Sequence, residues 1–236
     1  MYTNIIRKYF GKILNITRVS PIATHVICDG RDMKLEVYKK FHGEFESYWE
    51  PGKAKADISY KLTRSLPVHK EALKAGLFVP RIIKIIEKDN VVYKFTEWIY
   101  GNTISAEMKA HPDKVKIICE DLGRYVTELY AVKQITPVDP HFENFVWTKN
   151  GAIYVDLKKF LYCRDEIHTL QMAKICLKSC KGVRKKAFYF LKGYSKYSDI
   201  NQILEYCNKE NWTVILRNKQ VYSIKPISLE EIENDK

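Results

Sequence analysis

The sequence predicts an α+β protein of two lobes, a small strand-rich one over residues 1–98 and a helical one over residues 99–236. Two observations predict it. The first hundred residues carry β-branched runs punctuated by turn residues, and the stretch after Gly101 carries apolar residues at helical spacing. A chain of 236 residues is long enough to bury a substantial core, and no repeat or low-complexity linker interrupts it.

Lys12 to Val19 reads as the first strand, broken by Ser20-Pro21-Ile22-Ala23-Thr24 and resumed by His25 to Cys28. Asp29-Gly30 is a strong hairpin turn. Beyond it, Leu35, Val37, Lys39 and Phe41 alternate with Glu36, Tyr38 and Lys40, so a lysine shares a face with three apolar residues. A lysine so placed requires an anionic partner. Gly43 to Gly52 reads as a loop, and Ala54 to Ala75 as two helical pieces divided by Pro67. Gly76 stops the helix, and strands Arg81 to Ile86 and Val91 to Trp98 flank an Asp89-Asn90 turn. Pro112 opens a helix with Val115, Ile118, Leu122, Tyr125 or Val126, and Leu129 on one face. Strands Phe145 to Thr148 and Ala152 to Asp156 meet at Asn150-Gly151. Mainly helical sequence follows to about Lys209, then a hairpin (Thr213 to Leu216 with Val221 to Ile224) and an acidic tail.

Forty Lys and Arg against 28 Asp and Glu leave a net charge of +12, which selects for an anionic partner: nucleotide, phosphorylated glycolipid, membrane surface or nucleic acid. No run approaches the ~18 apolar residues of a membrane span. The first ten residues lack the apolar centre of a signal peptide, so a cytoplasmic location is expected. Six cysteines (Cys28, Cys119, Cys163, Cys176, Cys180, Cys207) form no Cys-x-x-Cys pair and read as buried thiols of a reducing compartment. Between Glu166 and Asp199 there is no acid, while Lys174, Lys178, Lys181, Arg184, Lys185, Lys186, Lys192 and Lys196 are basic. Such one-sided charge fits peripheral docking on an anionic membrane surface. Nucleic acid is disfavoured, because Phe188, Tyr189, Phe190 and Tyr194 fall at core spacing rather than as a stacking platform.

The stretch with chemistry in it is Asp139 to Asp156. Asp139 follows a helix, Asn144 stands five positions on at the start of a strand, and Asp156 ends the partner strand. The hairpin between them folds Asp156 back beside the loop. Three oxygen-bearing side chains then converge as phosphoryl transfer needs: a carboxylate for the acceptor hydroxyl and hard oxygen ligands for Mg²⁺.

Asp139-x-x-x-x-Asn144 followed by Asp156, with Lys39 in Val37-Tyr38-Lys39, resembles the protein-kinase-like superfamily over about Lys12 to Lys196. Asp139-Pro140-His141-Phe142-Glu143-Asn144-Phe145, Ala75 to Pro80 and Glu97-Trp98-Ile99-Tyr100-Gly101 are most similar to the lipopolysaccharide core heptose kinases. The resemblance implies a two-lobed kinase-like fold, ATP and Mg²⁺ as cofactors, and a sugar or anionic glycolipid acceptor at the inner membrane. It implies that Asp139 orients the acceptor hydroxyl and that His141 sits near the transferring phosphoryl group. Asn144 and Asp156 would hold the metal, and Lys39 the nucleotide phosphates. Backbone groups near Glu97 and Ile99 would hold adenine. The carboxylate partner of Lys39 would be Glu71, with Glu46 and Glu50 as alternatives. The chain departs from protein kinases at Pro137 (a histidine there), at Leu157-Lys158 (Phe-Gly there), in the glycine-free stretch Ser20 to Thr24, and in lacking Ala-Pro-Glu after Asp156. The rival readings are a minimal Ser/Thr protein kinase with a protein substrate, an inactive pseudokinase binding module, and a basic membrane-surface or nucleic-acid adaptor.

Overall fold

The computed structural model describes residues 2–20, 23–41, 43–47, 61–137, 141–157, 160–162, 183–209, 213–215 and 221–235. The chain folds as two compact units. One comprises Met1–Pro67 with Pro80–Ile99, the other Val68–Val79 with Tyr100–Lys236. Segment 68–79 thus belongs with the later unit, whereas the sequence reading kept everything to residue 98 together.

The first unit opens on helix α1 (Thr3–Phe10), an element the sequence reading did not expect; it buries Ile5, Ile6 and Phe10. Strands β1 (Ile13–Ser20), β2 (Ala23–Cys28), β3 (Arg31–Phe41) and β4 (Glu44–Ser47) follow, then helix α2 (Leu62–Lys74) and strands β5 (Ile82–Lys88) and β6 (Val91–Glu97). The sheet is antiparallel in the order β1-β2-β3-β6-β5, with β4 alongside β3. Asp29-Gly30 and Asp89-Asn90 make the tight turns; all four residues have positive φ, the geometry of two-residue loops whose twist matches the strands.

Strand β3 is buried on both faces, not one. Met33 and Leu35 join Ile5, Ile6, Phe10 and Phe95 in one cluster, with Phe10 and Phe95 ring centroids 4.6 Å apart. On the opposite face Tyr38 packs with Val92 and with Leu62 and Leu66 of α2. Glu36 and Tyr38, which alternate with Leu35 and Val37 and so face the other way, are 3% and 1% exposed.

Helix α2 runs unbroken through Pro67, correcting the expected division; residues 54–60 lie outside the described residues. Proline's fixed φ suits a helix, and the loss is confined to one backbone hydrogen bond and a local clash. Burial of Leu62, Val68 and Ala72 offsets it, each large apolar side chain contributing about 1.5–3 kcal/mol.

The second unit adds β7 (Asn102–Thr103), α3 (Ile104–Ala110) and α4 (Val115–Lys133), then β8 (Ile135–Pro137), β9 (Phe145–Thr148), β10 (Gly151–Tyr154) and β11 (Phe160–Tyr162). Helices α5 (Val183–Tyr194) and α6 (Ile200–Lys209) precede the pair β12 (Thr213–Ile215) and β13 (Val221–Ser223) and the last helix, α7 (Leu229–Asn234). Strands β10-β9-β7 form one small sheet, and β11-β8 and β12-β13 form two-stranded pairs. Ile118, Leu122, Tyr125, Val126 and Leu129 of α4 are buried with Phe190, Leu191 and Tyr194 of α5. The two helices meet through glycine. A Cβ on Gly123 would overlap the Phe190 carbonyl oxygen, and one on Gly193 the Glu120 carbonyl oxygen.

The acidic tail is ordered as α7. Ser228 and Glu231 form a reciprocal capping box. Arg184 of α5 donates to the carbonyls of Lys225 and Pro226 and to Glu231. Asp235 accepts from Lys192 at 2.8 Å and from Lys116 at 3.1 Å. The described cysteines Cys28, Cys119 and Cys207 are buried and form no disulfide among the described residues; Cys163, Cys176 and Cys180 lie outside the described residues. No helix among the described residues is long and apolar enough to cross a membrane.

Gly193→Ala is expected to destabilise the fold by about 1–3 kcal/mol through overpacking, read as a lowered Tm, while Lys185→Ala on the exposed side of α5 leaves Tm within a degree or so. A second expectation concerns pH. The Ser228 backbone N–H and then Arg184 hold the Glu231 carboxyl below its ordinary value, and Lys192 and Lys116 do the same for Asp235. Depressed carboxyls stabilise above the ordinary carboxylate pKa of about 4 and lose that contribution as pH falls through their lower folded values. Amide protection over residues 228–235 should therefore collapse at acid pH before that of α4, and Arg184→Ala should lower it already at neutral pH.

Candidate functional site

The hairpin β9–β10 carries two of the expected site residues, and helix α4 holds it in place. Four residues along a helix rise about 6 Å, and two along a strand about 6.8 Å. Asp121 and Tyr125 of α4 therefore reach Ala152 and Tyr154 of β10. The Ala152 N–H donates to the Asp121 carboxylate at 2.6 Å, and the Tyr154 N–H donates to the Tyr125 hydroxyl oxygen at 3.2 Å. Tyr125 in turn donates to the Phe78 carbonyl at 2.9 Å. Burial pushes the Tyr125 phenol well above its ordinary pKa, so it stays a donor at every physiological pH. Arg124 clamps Asp121 at 2.8 Å and Glu128 at 2.7 Å. The ring of Phe145 sits against both Tyr125 and Tyr154.

At the open end of this hairpin the Val155 N–H donates to the Asn144 carbonyl at 2.9 Å, extending the Phe145–Tyr154 register by one pair. Asn144 is thereby paired through its backbone with Val155, the residue before Asp156. Asn144 closes a 3-10 turn over Phe142–Asn144, whose Asn144 N–H donates to the His141 carbonyl at 2.8 Å. His141 is half-buried, Phe142 is wholly buried and anchors the turn, and Asp156 is 7% exposed. Amide and carboxylate oxygens, the groups that Asn144 and Asp156 carry, are hard ligands of the kind Mg²⁺ takes. Among the described residues no group of three or more His, Cys, Asp and Glu gathers at metal-binding distance; Asp139, the third expected member, lies outside the described residues.

The remaining expected residues divide between the units. Lys39 shares its face of β3 with Met33, Leu35 and Val37, and its register partners are Val91 on β6 and Glu46 on β4. That face is the one covered by α1. Glu97 is committed through its side chain: the Arg81 N–H donates to it at 2.7 Å and the Arg81 guanidinium at 2.9 Å. The Trp98 N–H donates to the Asp32 carbonyl, and the indole stacks on His25 with centroids 3.9 Å apart. Glu97-Trp98-Ile99 thus leaves the sheet along a fixed path. Glu71 belongs to the second unit and lies 4.0 Å from Lys74, 41% exposed. Glu50 lies outside the described residues.

One cluster escaped the sequence reading. On the α2-facing side of the sheet, Lys34 lies 3.1 Å from the Glu36 carboxylate, and the wholly buried Lys94 lies 3.5 Å from its other oxygen. The Tyr38 hydroxyl donates to the same carboxylate at 3.2 Å. The signal was available: Lys94 interrupts an otherwise apolar run, Val91-Val92-Tyr93-Lys94-Phe95.

The basic run after Glu166 is only partly a free surface. Among its described members, Arg184 and Lys192 are taken up by the α7 segment, and Lys185 lies over the Tyr189 ring. Lys174, Lys178 and Lys181 lie outside the described residues.

No family model matches the chain, and no curated protein is significantly similar to it in sequence.

Asp121→Ala removes the acceptor of a buried N–H and is expected to destabilise the second unit by about 1–3 kcal/mol. Native-state hydrogen exchange should localise the effect to Ala152 and its neighbours on β9 and β10, leaving the first-unit sheet unchanged.

Proposed function

We propose that the protein is an ATP-dependent phosphotransferase acting on a sugar hydroxyl, by resemblance a heptose of the lipopolysaccharide core. The observation that carries the reading is the backbone bond from Val155 to Asn144, which sets the buried Asp156 next to the residue that pairs with Asn144 at the base of a hairpin clamped by α4. A divalent metal bound there supplies charge neutralisation for the phosphates, and the amide and carboxylate are ligands it accepts. Asp139, five positions before Asn144, orients the acceptor hydroxyl, and His141, whose carbonyl fixes the Asn144 turn, lies at the same segment. Catalysis of this kind is positioning and charge stabilisation more than covalent work. The strand order β1-β2-β3-β6-β5, with a helix entering between β3 and β5, supports a kinase-like first unit. Rigid exit of the chain through Glu97-Trp98-Ile99 supports a segment whose backbone could meet an adenine edge.

The test is transfer of labelled phosphate from ATP to core lipopolysaccharide, with a protein lysate in parallel. Label in the saccharide supports the reading; label in protein alone, or none in either, overturns it. Asp139→Asn and Asp156→Asn should each lower turnover at least 100-fold. Asp139→Asn should still show stabilisation by nucleotide, because the acceptor-side carboxylate does not hold the nucleotide.

A further inference from the structure

Four polar side chains occupy the α2-facing side of the sheet where an apolar layer would be simpler. Lys34 and Glu36 are two apart on β3 and so project to one face. In the β3–β6 register Lys94 stands opposite Glu36, and Thr96 opposite Lys34. Lys94 is 0% exposed, Glu36 3%, Tyr38 1% and Thr96 1%. Lys34, 15% exposed, is the charged member nearest solvent.

Burying ammonium and carboxylate groups removes them from water at a cost that their mutual attraction only partly recovers, and apolar residues of similar size commonly serve stability as well or better. Stability therefore does not account for the cluster. What it achieves is orientation. The Glu36 carboxylate is fixed by Lys94 on one oxygen and by the Tyr38 hydroxyl, and its other oxygen faces the Lys34 ammonium. A long flexible cation is thereby held at the edge of a low-dielectric layer, and because two ammonium groups share one carboxylate the cluster keeps a net positive charge that an arriving anion can meet at Lys34. Lys39 lies on the opposite face of β3, the one it shares with Met33, Leu35 and Val37.

We infer that Lys34 is the cation that binds the phosphoryl oxygens of the protein's anionic ligand, with Glu36, Lys94 and Tyr38 as the residues that position it. The identity of the ligand as a polyphosphate rests on the phosphotransferase reading; the pre-organised cation does not.

The experiment uses the full chain with two probes, inorganic tripolyphosphate and the magnesium complex of a non-hydrolysable ATP analogue, titrated calorimetrically. Lys34→Met should weaken both at least tenfold, Lys34→Arg should stay within about threefold of wild type, and Lys88→Met should change neither. Circular dichroism and Tm verify that the variants fold. Tripolyphosphate should also protect Lys34 from acetylation, read by mass spectrometry, in wild type and less so in Glu36→Gln. A merely structural role for Glu36 would not move that protection at unchanged Tm. Unaltered tripolyphosphate binding in Lys34→Met overturns the inference, as does a loss confined to Lys39→Met or no binding of either probe by wild type. Binding that depends on Lys34 without phosphate transfer to any acceptor leaves this site standing and overturns the phosphotransferase reading alone.

Discussion

A step of four residues on α4 nearly equals a step of two residues on β10, and the geometry around Asn144 and Asp156 depends on that match. Asp121 and Tyr125 satisfy two buried amides of the returning strand, where an unsatisfied N–H would cost about 1–3 kcal/mol. Because the hairpin cannot slide without breaking both bonds, the register from Phe145 to Tyr154 is fixed, and with it the level at which Asn144 and Val155 pair. Helix α4 is held in turn by α5 through Gly123 and Gly193, where backbone meets backbone. The turn at Asn144 and the strand end at Asp156 are thus located by residues of α4 and α5.

The first unit solves a different problem. A sheet covered on both faces must fill two layers, and β3 supplies both. One layer is apolar, under α1. The other mixes Tyr38, Val92 and Leu62 with the Lys34–Glu36–Lys94 group. Removing a single partner from such a group strands a charge, which is far worse than exchanging the whole set for apolar residues.

Much of this was legible in the sequence, and what was missed has physical causes. The tight turns at Asp29-Gly30 and Asp89-Asn90, the apolar stripe of α4 and the β9–β10 hairpin follow from local chemistry that tertiary contacts do not override. The union of α2 across Pro67 was not legible, because burial of Leu62, Val68 and Ala72 outweighs a local preference. Helix α1 was hidden by its brevity; eight residues nucleate poorly alone and are held by Phe10 against Phe95. Alternation separated the two faces of β3 but did not say whether the second is covered, and Glu36 on it is buried beside Lys94. At the candidate site the hairpin between Asn144 and Asp156 was readable because Asn150-Gly151 marks its turn.

The charge excess has to be divided before it can be interpreted. Arg184 and Lys192, which sit in the longest acid-free stretch, close onto carbonyl and carboxylate groups of the last helix and contribute little field at the surface. The first 28 residues contain Arg7, Lys8, Lys12 and Arg18 and no acid, and Lys84 of β5 lies 4.5 Å from the Tyr9 ring centroid beside them. A net charge of +12 distributed in this way attracts anions from a distance of about a Debye length, some 8–10 Å in physiological salt. Long-range attraction of that kind raises encounter rates without choosing a ligand. Choice needs a cation whose position is fixed before the ligand arrives, since an ordered donor loses little side-chain entropy on binding whereas a solvated lysine loses nearly 2 kcal/mol. In the first unit the described lysine with that property is held by a carboxylate that water hardly reaches, and it is by such fixed charges, not by the total, that a basic protein discriminates among anions.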